Sequence, residues 1–231
     1  MVFGAVLHIL VYDIIKEGSP SENLAHLWTL IRDEYRRCQC RSRYTNMRLS
    51  MFTDPKKRYK KKPRVKGSAS EAKSLLEPVL NVWTNLMDST SMMHLQVRAA
   101  LTAAVHMDSL LEDCPPLLGD GHFTLPADEA RAFREATSVF LDCFAALQLS
   151  DRRFNFTIKA HHLSHTALRC TDLNPRCSWC YMGEDYMHVV KGLVQSCCRG
   201  VSLAELSNKV SLKTSIAMGL GMHESQSWIT R

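Results

Sequence analysis

A chain of 231 residues with 45% hydrophobic content can bury a sizeable core, which excludes disorder for most of its length. Ten Gly and eight Pro are few, and strictly alternating apolar runs are scarce, so helices are favoured over a sandwich or barrel. The nine Cys are an odd number, and two pairs, Cys38/Cys40 and Cys197/Cys198, are too close in sequence to form disulfides easily. The sequence shows no secretory signal. We therefore expect a reducing, intracellular location, nuclear or cytoplasmic, and not a secreted protein.

The most apolar stretch runs from Met1 to Tyr12 and could be taken for a signal peptide or a membrane anchor. It lacks a basic region and a small-residue cleavage site, and Asp13 and Lys16 stop it short of the roughly 20 residues that span a bilayer. We expect a buried helix or strand here and no membrane partner. A chain that opens directly on core residues also looks like a piece of a longer protein.

Helical periodicity and helix-start signals recur along the rest of the chain. A helix is predicted over 21–37, and Ser68 with Glu71 forms a capping box that opens the next one. Pro78 must mark a kink or a break in that helix because it lacks the backbone N–H. Further helices are predicted from Ser91 to Leu111, from Pro126, from Phe154 to Cys170, from Glu184 to Cys198 and from Ser202. The sequence thus predicts an all-α fold, an irregular bundle of about seven or eight helices that forms a single domain over 1–231.

Positive charge is concentrated between Arg32 and Lys66, which we call the basic segment. It holds fourteen Lys and Arg against three acidic residues, while the rest of the chain sums to −5, so the net charge of +6 is a local patch. Prolines make most of the segment a long loop over 38–67, after the second helix. Accumulated cations bind the phosphates of nucleic acids, and rings such as Tyr44 and Tyr59 among them can stack on unpaired bases. The predicted nucleic-acid contacts are Arg36, Arg37, Arg41, Arg43, Lys56, Lys57, Arg58, Lys60, Lys61, Lys62, Arg64 and Lys66.

Other roles fit the same charge. Lys56 to Lys66 has the composition of a nuclear localisation signal, a short basic run presented between prolines. The loop could also be a solvated surface, or it could bind an acidic partner protein. A further alternative is that the loop binds the chain's own acidic stretch from Asp108 to Asp151, which holds nine acidic and two basic residues. We prefer a nucleic-acid-contacting module without sequence specificity; the alternative is a protein-interaction or structural domain whose basic loop is an address or a solvated surface.

A second cluster, of His and Cys, lies in the C-terminal part of the chain, 154–217. Zinc favours four tetrahedral nitrogen and sulfur ligands, and His161, His165, Cys177 and Cys180 would supply two of each. A zinc-binding domain is therefore another alternative. The same residues can equally be packed in a core, since free Cys is among the most buried residue types.

Catalytic signatures are missing from the sequence. It has no phosphate-binding Gly-rich loop with Lys-Ser/Thr, no dinucleotide fingerprint and no nucleophile elbow. A Cys/His nucleophilic pair arises easily by chance among nine Cys and ten His. The sequence favours a non-enzymatic protein and assigns no catalytic residue.

Several short stretches carry a resemblance that spans nearly the whole chain. A helical segment of protist reading frames, some of them related to mobile elements, is resembled by Lys159 to His165, Leu173 to Arg176, Trp179 to Tyr181 and Glu184 to Met187. The earlier residues Leu27, Trp28, Tyr35, Leu49 to Phe52 and Pro55 to Lys56 resemble it as well. The resemblance implies the C-terminal end of a larger element-encoded protein, which suits nucleic-acid contact, and it brings no activity or catalytic residue with it. The positions that it singles out are His162, His165, Asn174, Trp179, Glu184 and Asp185.

Overall fold

The computed structural model describes residues 2–40, 42–53, 62–114, 123–178, 191, 194–198, 202, 205–213 and 215–216. Over these residues 72% of the chain is helical, with eight helices and no strand, which confirms the prediction of an all-α fold. The chain divides into two compact units, Met1–Trp179 and Cys180–Arg231. The single domain over 1–231 stays a prediction. In the described part, no helix is long and apolar enough to cross a membrane.

The N-terminal stretch is a helix, α1 (Val2–Ile9), which continues into a π-helical turn over Leu10–Ile14. Its side chains are almost all buried because the sequence is apolar on every face of the helix. Asn23 of the following helix is also buried and donates from Nδ2 to the carbonyl oxygen of Val11 at 2.9 Å. That hydrogen bond holds the start of the second helix against the π turn.

Helix α2 (Pro20–Arg37) agrees closely with the predicted 21–37. Ser19 caps it: the Ser19 hydroxyl accepts from the Glu22 N–H, and the Glu22 carboxylate accepts from the Ser19 N–H at 2.7 Å. These two bonds satisfy backbone donors that have no partner within the helix. Four residues spaced along one face of α2 are buried in the core: Leu24, Leu27, Ile31 and Tyr35.

The helix predicted to start at Ser68 is divided in two. The capping box of Ser68 and Glu71 opens α3 (Ala69–Ser74), and α4 (Leu76–Leu86) follows with Leu75 at the junction. Helix α3 ends at Ser74, four residues before Pro78, and the proline ring would clash with the Ser74 carbonyl in a continuous helix. Of the two alternatives that the sequence left open, kink or break, the structure shows a break.

Helices α5 (Met92–Asp113) and α6 (Ala127–Ser150) contact each other more extensively than any other two helices of the described residues. Buried aliphatic residues of α5 pack in one core with aromatic residues of α6. The core members of this pair include Val97, Leu101, Met107, Phe133, Phe140 and Phe144. The Thr137 hydroxyl is buried within α6 and donates to the carbonyl of Phe133 at 2.8 Å, so it leaves no polar group unsatisfied.

Helix α7 (Ile158–Leu168) is shorter than the predicted range of 154 to 170. A turn at Asp151, whose carbonyl accepts from the Phe154 N–H at 3.1 Å, directs the fully buried Phe154 ring toward Phe144. The chain is extended at Thr157, just before the helix. Tertiary packing of Phe154 therefore delays the helix start.

In the second unit, residues 194–197 and 205–213 are helical. The Ser202 hydroxyl lies 3.2 Å from a carboxylate oxygen of Glu205, and the Ser202 carbonyl accepts from the Leu206 N–H at 3.0 Å. The helix predicted from Ser202 is therefore present over 205–213. Most of the helix predicted from 184 to 198 lies outside the described residues.

Candidate nucleic-acid interface

The basic loop begins and ends at adjacent points on the first unit. The N–H of Arg64 donates to the carbonyl of Phe52 at 3.1 Å, and the N–H of Lys66 donates to the carbonyl of Met51 at 2.8 Å. These two hydrogen bonds pair the chain entering the loop with the chain leaving it. We call this paired region, 51–53 with 62–66, the loop base.

A close backbone approach fixes the loop base on α1. A Cβ atom added at Gly4 would lie 2.5 Å from the carbonyl carbon and oxygen of Pro63, so only glycine fits there without a shift. Pro63 and Phe52 are buried. The cations on either side of Pro63 are therefore attached to backbone that is held by the core.

Tyr44 does not serve as a stacking ring for bases. It is 3% exposed and belongs to the hydrophobic core, and its ring lies against the backbone at Gly67, where a Cβ would clash with it. Burial, and then the nearby Glu71 carboxylate, raises the pKa of its hydroxyl to about 12. The interpretation of Tyr44 as an exposed ring is wrong, because a large aromatic gains more from burial beside glycine than from exposure. Tyr59 lies outside the described residues.

The predicted contacts fall into three groups. Arg36 and Arg37 lie in the last turn of α2 and form ion pairs with Asp33 and Glu34, one helical turn earlier. The second group is exposed and comprises Arg43, Lys62, Arg64 and Lys66. The third group lies outside the described residues and comprises Arg41, Lys56, Lys57, Arg58, Lys60 and Lys61.

The exposed group keeps its positive charge available. Among the described residues, Arg43, Arg64 and Lys66 have no ion-pair partner, and Lys62 donates to the neutral Asn155 side chain at 2.7 Å. Arg43 directly precedes Tyr44 and Lys66 directly precedes Gly67. The contact between that ring and Gly67 therefore brings the two cations to neighbouring backbone.

Three acidic residues of the stretch from 108 to 151 form ion pairs with cations that lie outside both this stretch and the basic segment. Lys73 of α3 lies 2.5 Å from Glu112 and 3.5 Å from Asp108, and Arg153 lies 2.6 Å from Asp151. None of the ion pairs among described residues joins this stretch to the basic segment. The described part of the molecule thus gives no support to docking of the basic segment on its own acidic stretch.

An open polar groove of about 480 Å³ lies beside the start of the basic segment, in the last turns of α2. Its lining residues come from α2, α4 and α5: Glu34, Arg37, Leu80, Asn81, Thr84, Asn85, Arg98 and Thr102. Glu34 accepts from Arg37 and from Asn81, at 2.6 and 2.8 Å; the Arg37 bond outweighs burial and keeps the pKa of Glu34 below its usual value.

Arg98 is a cation that the sequence reasoning missed. It is exposed in this groove and has no ion-pair partner among the described residues. No local signal in the sequence marks Arg98, because it enters the groove only through the packing of α5 beside α2 and α4.

Of the four predicted zinc ligands, the structure brings two together. The Nε2 atoms of His161 and His165, one turn apart on α7, are 3.0 Å from each other. Cys177 is exposed on a short 3₁₀ turn over Pro175–Ser178, and Cys180 lies outside the described residues. Among the residues described, no three His, Cys, Asp or Glu side chains are arranged to hold a metal ion. The four-ligand zinc site remains a prediction.

Five thiols are unsuited to nucleophilic catalysis. Burial is the largest influence on each, and it raises the pKa of Cys38 to about 11 and that of Cys40, Cys114, Cys143 and Cys170 above the ordinary value. A nucleophilic cysteine needs a lowered pKa, because the thiolate is the reactive form.

Among the positions singled out by the resemblance, Asn174 has a structural role. It is 1% exposed, its Nδ2 donates to the Cys114 carbonyl at 2.8 Å, and its Oδ1 accepts from the Arg176 N–H at 3.0 Å. His162 and His165 are exposed on α7. Trp179, Glu184 and Asp185 lie outside the described residues.

Comparison with family models, with curated proteins and with solved structures finds no match to this chain. The geometry of the site therefore carries the functional argument.

Proposed function

We propose that this chain is a non-enzymatic helical module that contacts nucleic acid, without sequence specificity, through its basic segment. The observation that carries the proposal is the exposure of Arg43, Arg64 and Lys66 without acidic partners among the described residues. Arg64 and Lys66 lie on the loop base, and neighbouring cations repel one another unless an anion is bound between them. A phosphate backbone supplies such anions at regular spacing.

The fixed loop base favours a nucleic-acid backbone over small anions. Hydrogen bonds of the Arg64 and Lys66 backbone hold both residues in place, so their charges are positioned before the partner arrives. Exposed cations with no assigned base contacts neutralise phosphates without reading sequence. DNA and RNA should therefore bind with similar dependence on salt.

The proposal is tested by salt-titrated binding of the full chain to duplex DNA, RNA and heparin in parallel. The double variant Arg64→Gln/Lys66→Gln should lower the log-log salt slope on duplex DNA by about 1.8, since each neutralised phosphate contributes about 0.9. The control is Arg131→Gln/Arg169→Gln, which removes the same charge from exposed positions outside the basic segment. Equal losses in the two variants would show that only net charge matters and would contradict an interface on the loop base.

A different measurement distinguishes a nuclear localisation signal from a nucleic-acid interface. Grafting Lys56 to Lys66 onto a cytosolic reporter should move the reporter to the nucleus if these residues are read as an address. A reporter that relocates, together with a full chain that fails to bind nucleic acid at low salt, would favour the address over the interface.

A further inference from the structure

His161 and His165 form a pair on the solvent side of α7. Their Nε2 atoms are 3.0 Å apart, their ring centroids are 4.3 Å apart, and the ring planes are perpendicular. Both side chains are exposed. The i, i+4 spacing places them one above the other on the same helix face.

The distance between the two Nε2 atoms allows both of them to bind one metal ion. Zinc–nitrogen bonds are about 2.0–2.1 Å long, so two nitrogens 3.0 Å apart can both reach one ion with an N–metal–N angle of roughly 95°. This angle lies between those of octahedral and tetrahedral coordination. Without metal, one Nε2–H can donate to the other Nε2. To bind one ion, both neutral imidazoles take the Nδ1–H tautomer, so the proton of the donating ring moves to its Nδ1 and both Nε2 lone pairs face the metal.

The opposite face of α7 is held by the core, so the pair is preorganised. Ala160 and Ala167 are buried, and Leu163 packs against the core. Just beyond the helix, the Cys170 carbonyl accepts from the N–H of Leu125 at 3.1 Å. The two imidazoles are therefore presented on a helix that is already formed.

We propose that His161 and His165 chelate one divalent transition-metal ion of the Cu²⁺, Ni²⁺ or Zn²⁺ class, as a two-residue site that does not need the cysteines. Imidazole suits these ions, and among them Cu²⁺ binds most tightly. Among the described residues, no third His, Cys, Asp or Glu side chain is placed to join the pair in holding an ion. This site is independent of nucleic-acid contact.

The test is calorimetric titration of the full chain with Cu²⁺, Ni²⁺ and Zn²⁺, with Mg²⁺ as a hard-cation control that prefers oxygen ligands. His161→Gln and His165→Gln should each weaken binding by about 10–100-fold or more, since even loss of an outer-shell partner costs that much. His162→Gln is the matched control: it is a neighbouring exposed imidazole, and its loss should leave the affinity unchanged. Thermal unfolding checks that each variant is folded.

Cys177→Ser separates this proposal from the four-ligand zinc site. We expect it to bind metal as the wild type does. A loss of binding in Cys177→Ser equal to that in the histidine variants would overturn the two-residue chelate in favour of a site completed by sulfur. Unchanged affinity in both histidine variants, or an equal loss in His162→Gln, would also overturn it.

Discussion

Replacing Gly4 by alanine should destabilise the protein by displacing the loop base from α1. An added Cβ would meet the Pro63 carbonyl at 2.5 Å and the Arg64 nitrogen at 2.6 Å, and all of these are backbone atoms that cannot rotate away. Overpacking of this kind costs about 1–3 kcal/mol. Alanine in place of glycine inside a helix recovers about 1 kcal/mol. Because the contacts are with backbone, we expect the upper part of the overpacking range and a net loss of about 1–2 kcal/mol.

The measurement is urea unfolding followed by far-UV circular dichroism, together with a melting temperature expected to fall by about 2–8 °C. Gly18→Ala is the comparison: its added Cβ would meet the Glu22 carboxylate, which can move at the expense of its bond from the Ser19 N–H, so we expect a loss of at most about 1 kcal/mol and unchanged nucleic-acid binding. Gly4→Ala should also weaken nucleic-acid binding, because it displaces the backbone that carries Arg64. A Gly4→Ala protein as stable as the wild type would show that the loop base is not held against α1.

Three other changes test the fold. Asn174→Ala should lower the free energy of unfolding by about 2–3 kcal/mol, because it leaves a carbonyl and an N–H without their partner, and chemical denaturation measures this. Ser68→Ala removes the cap of α3 and should cost about 1 kcal/mol in the same assay, with Ser68→Asp recovering most of it. Burial tends to raise the pKa of Asp151, but its hydrogen bonds from Arg153 outweigh this and lower it. The Asp151–Arg153 pair therefore stabilises the protein above about pH 4, and this stabilisation is lost as the pH falls through the folded-state pKa of Asp151. In Asp151→Asn, the free energy of unfolding should decrease less steeply as the pH is lowered.

Local signals in the sequence were sufficient for most of the helix starts. The capping box at Ser68 acts over three residues, so it can be recognised without knowledge of the fold. The start of α7 could not be predicted in this way. Thr157 gives no capping side chain, and the start depends on how Phe154 packs on Phe144, a contact between separate elements.

In the candidate interface, too, local features can be predicted from the sequence and features that depend on tertiary contacts cannot. The concentration of charge between Arg32 and Lys66 is a property of composition and is visible in the sequence. The sequence does not reveal which of these charges lack an ion-pair partner, because pairing depends on the side chains that the fold brings within a few ångströms. Arg37 is paired by its own helix and is visible as an i, i+3 pattern, whereas Tyr44 is removed from the surface by a tertiary contact at Gly67. Arg98 joins the groove only because α4 and α5 pack beside α2.

The loop base also makes the basic loop removable. Its two backbone hydrogen bonds, from Arg64 and Lys66, are formed by residues outside 54–61. Replacing 54–61 with a short Gly/Ser linker should therefore leave the helical content and the cooperative unfolding of the protein intact. The exchange removes five cations, and it should lower the log-log salt slope on duplex DNA by up to about 4.5 if each contacts a phosphate. A variant that loses its helical signal would contradict the independence of the base, and a folded variant with an unchanged salt slope would restrict the interface to the described cations of the basic segment.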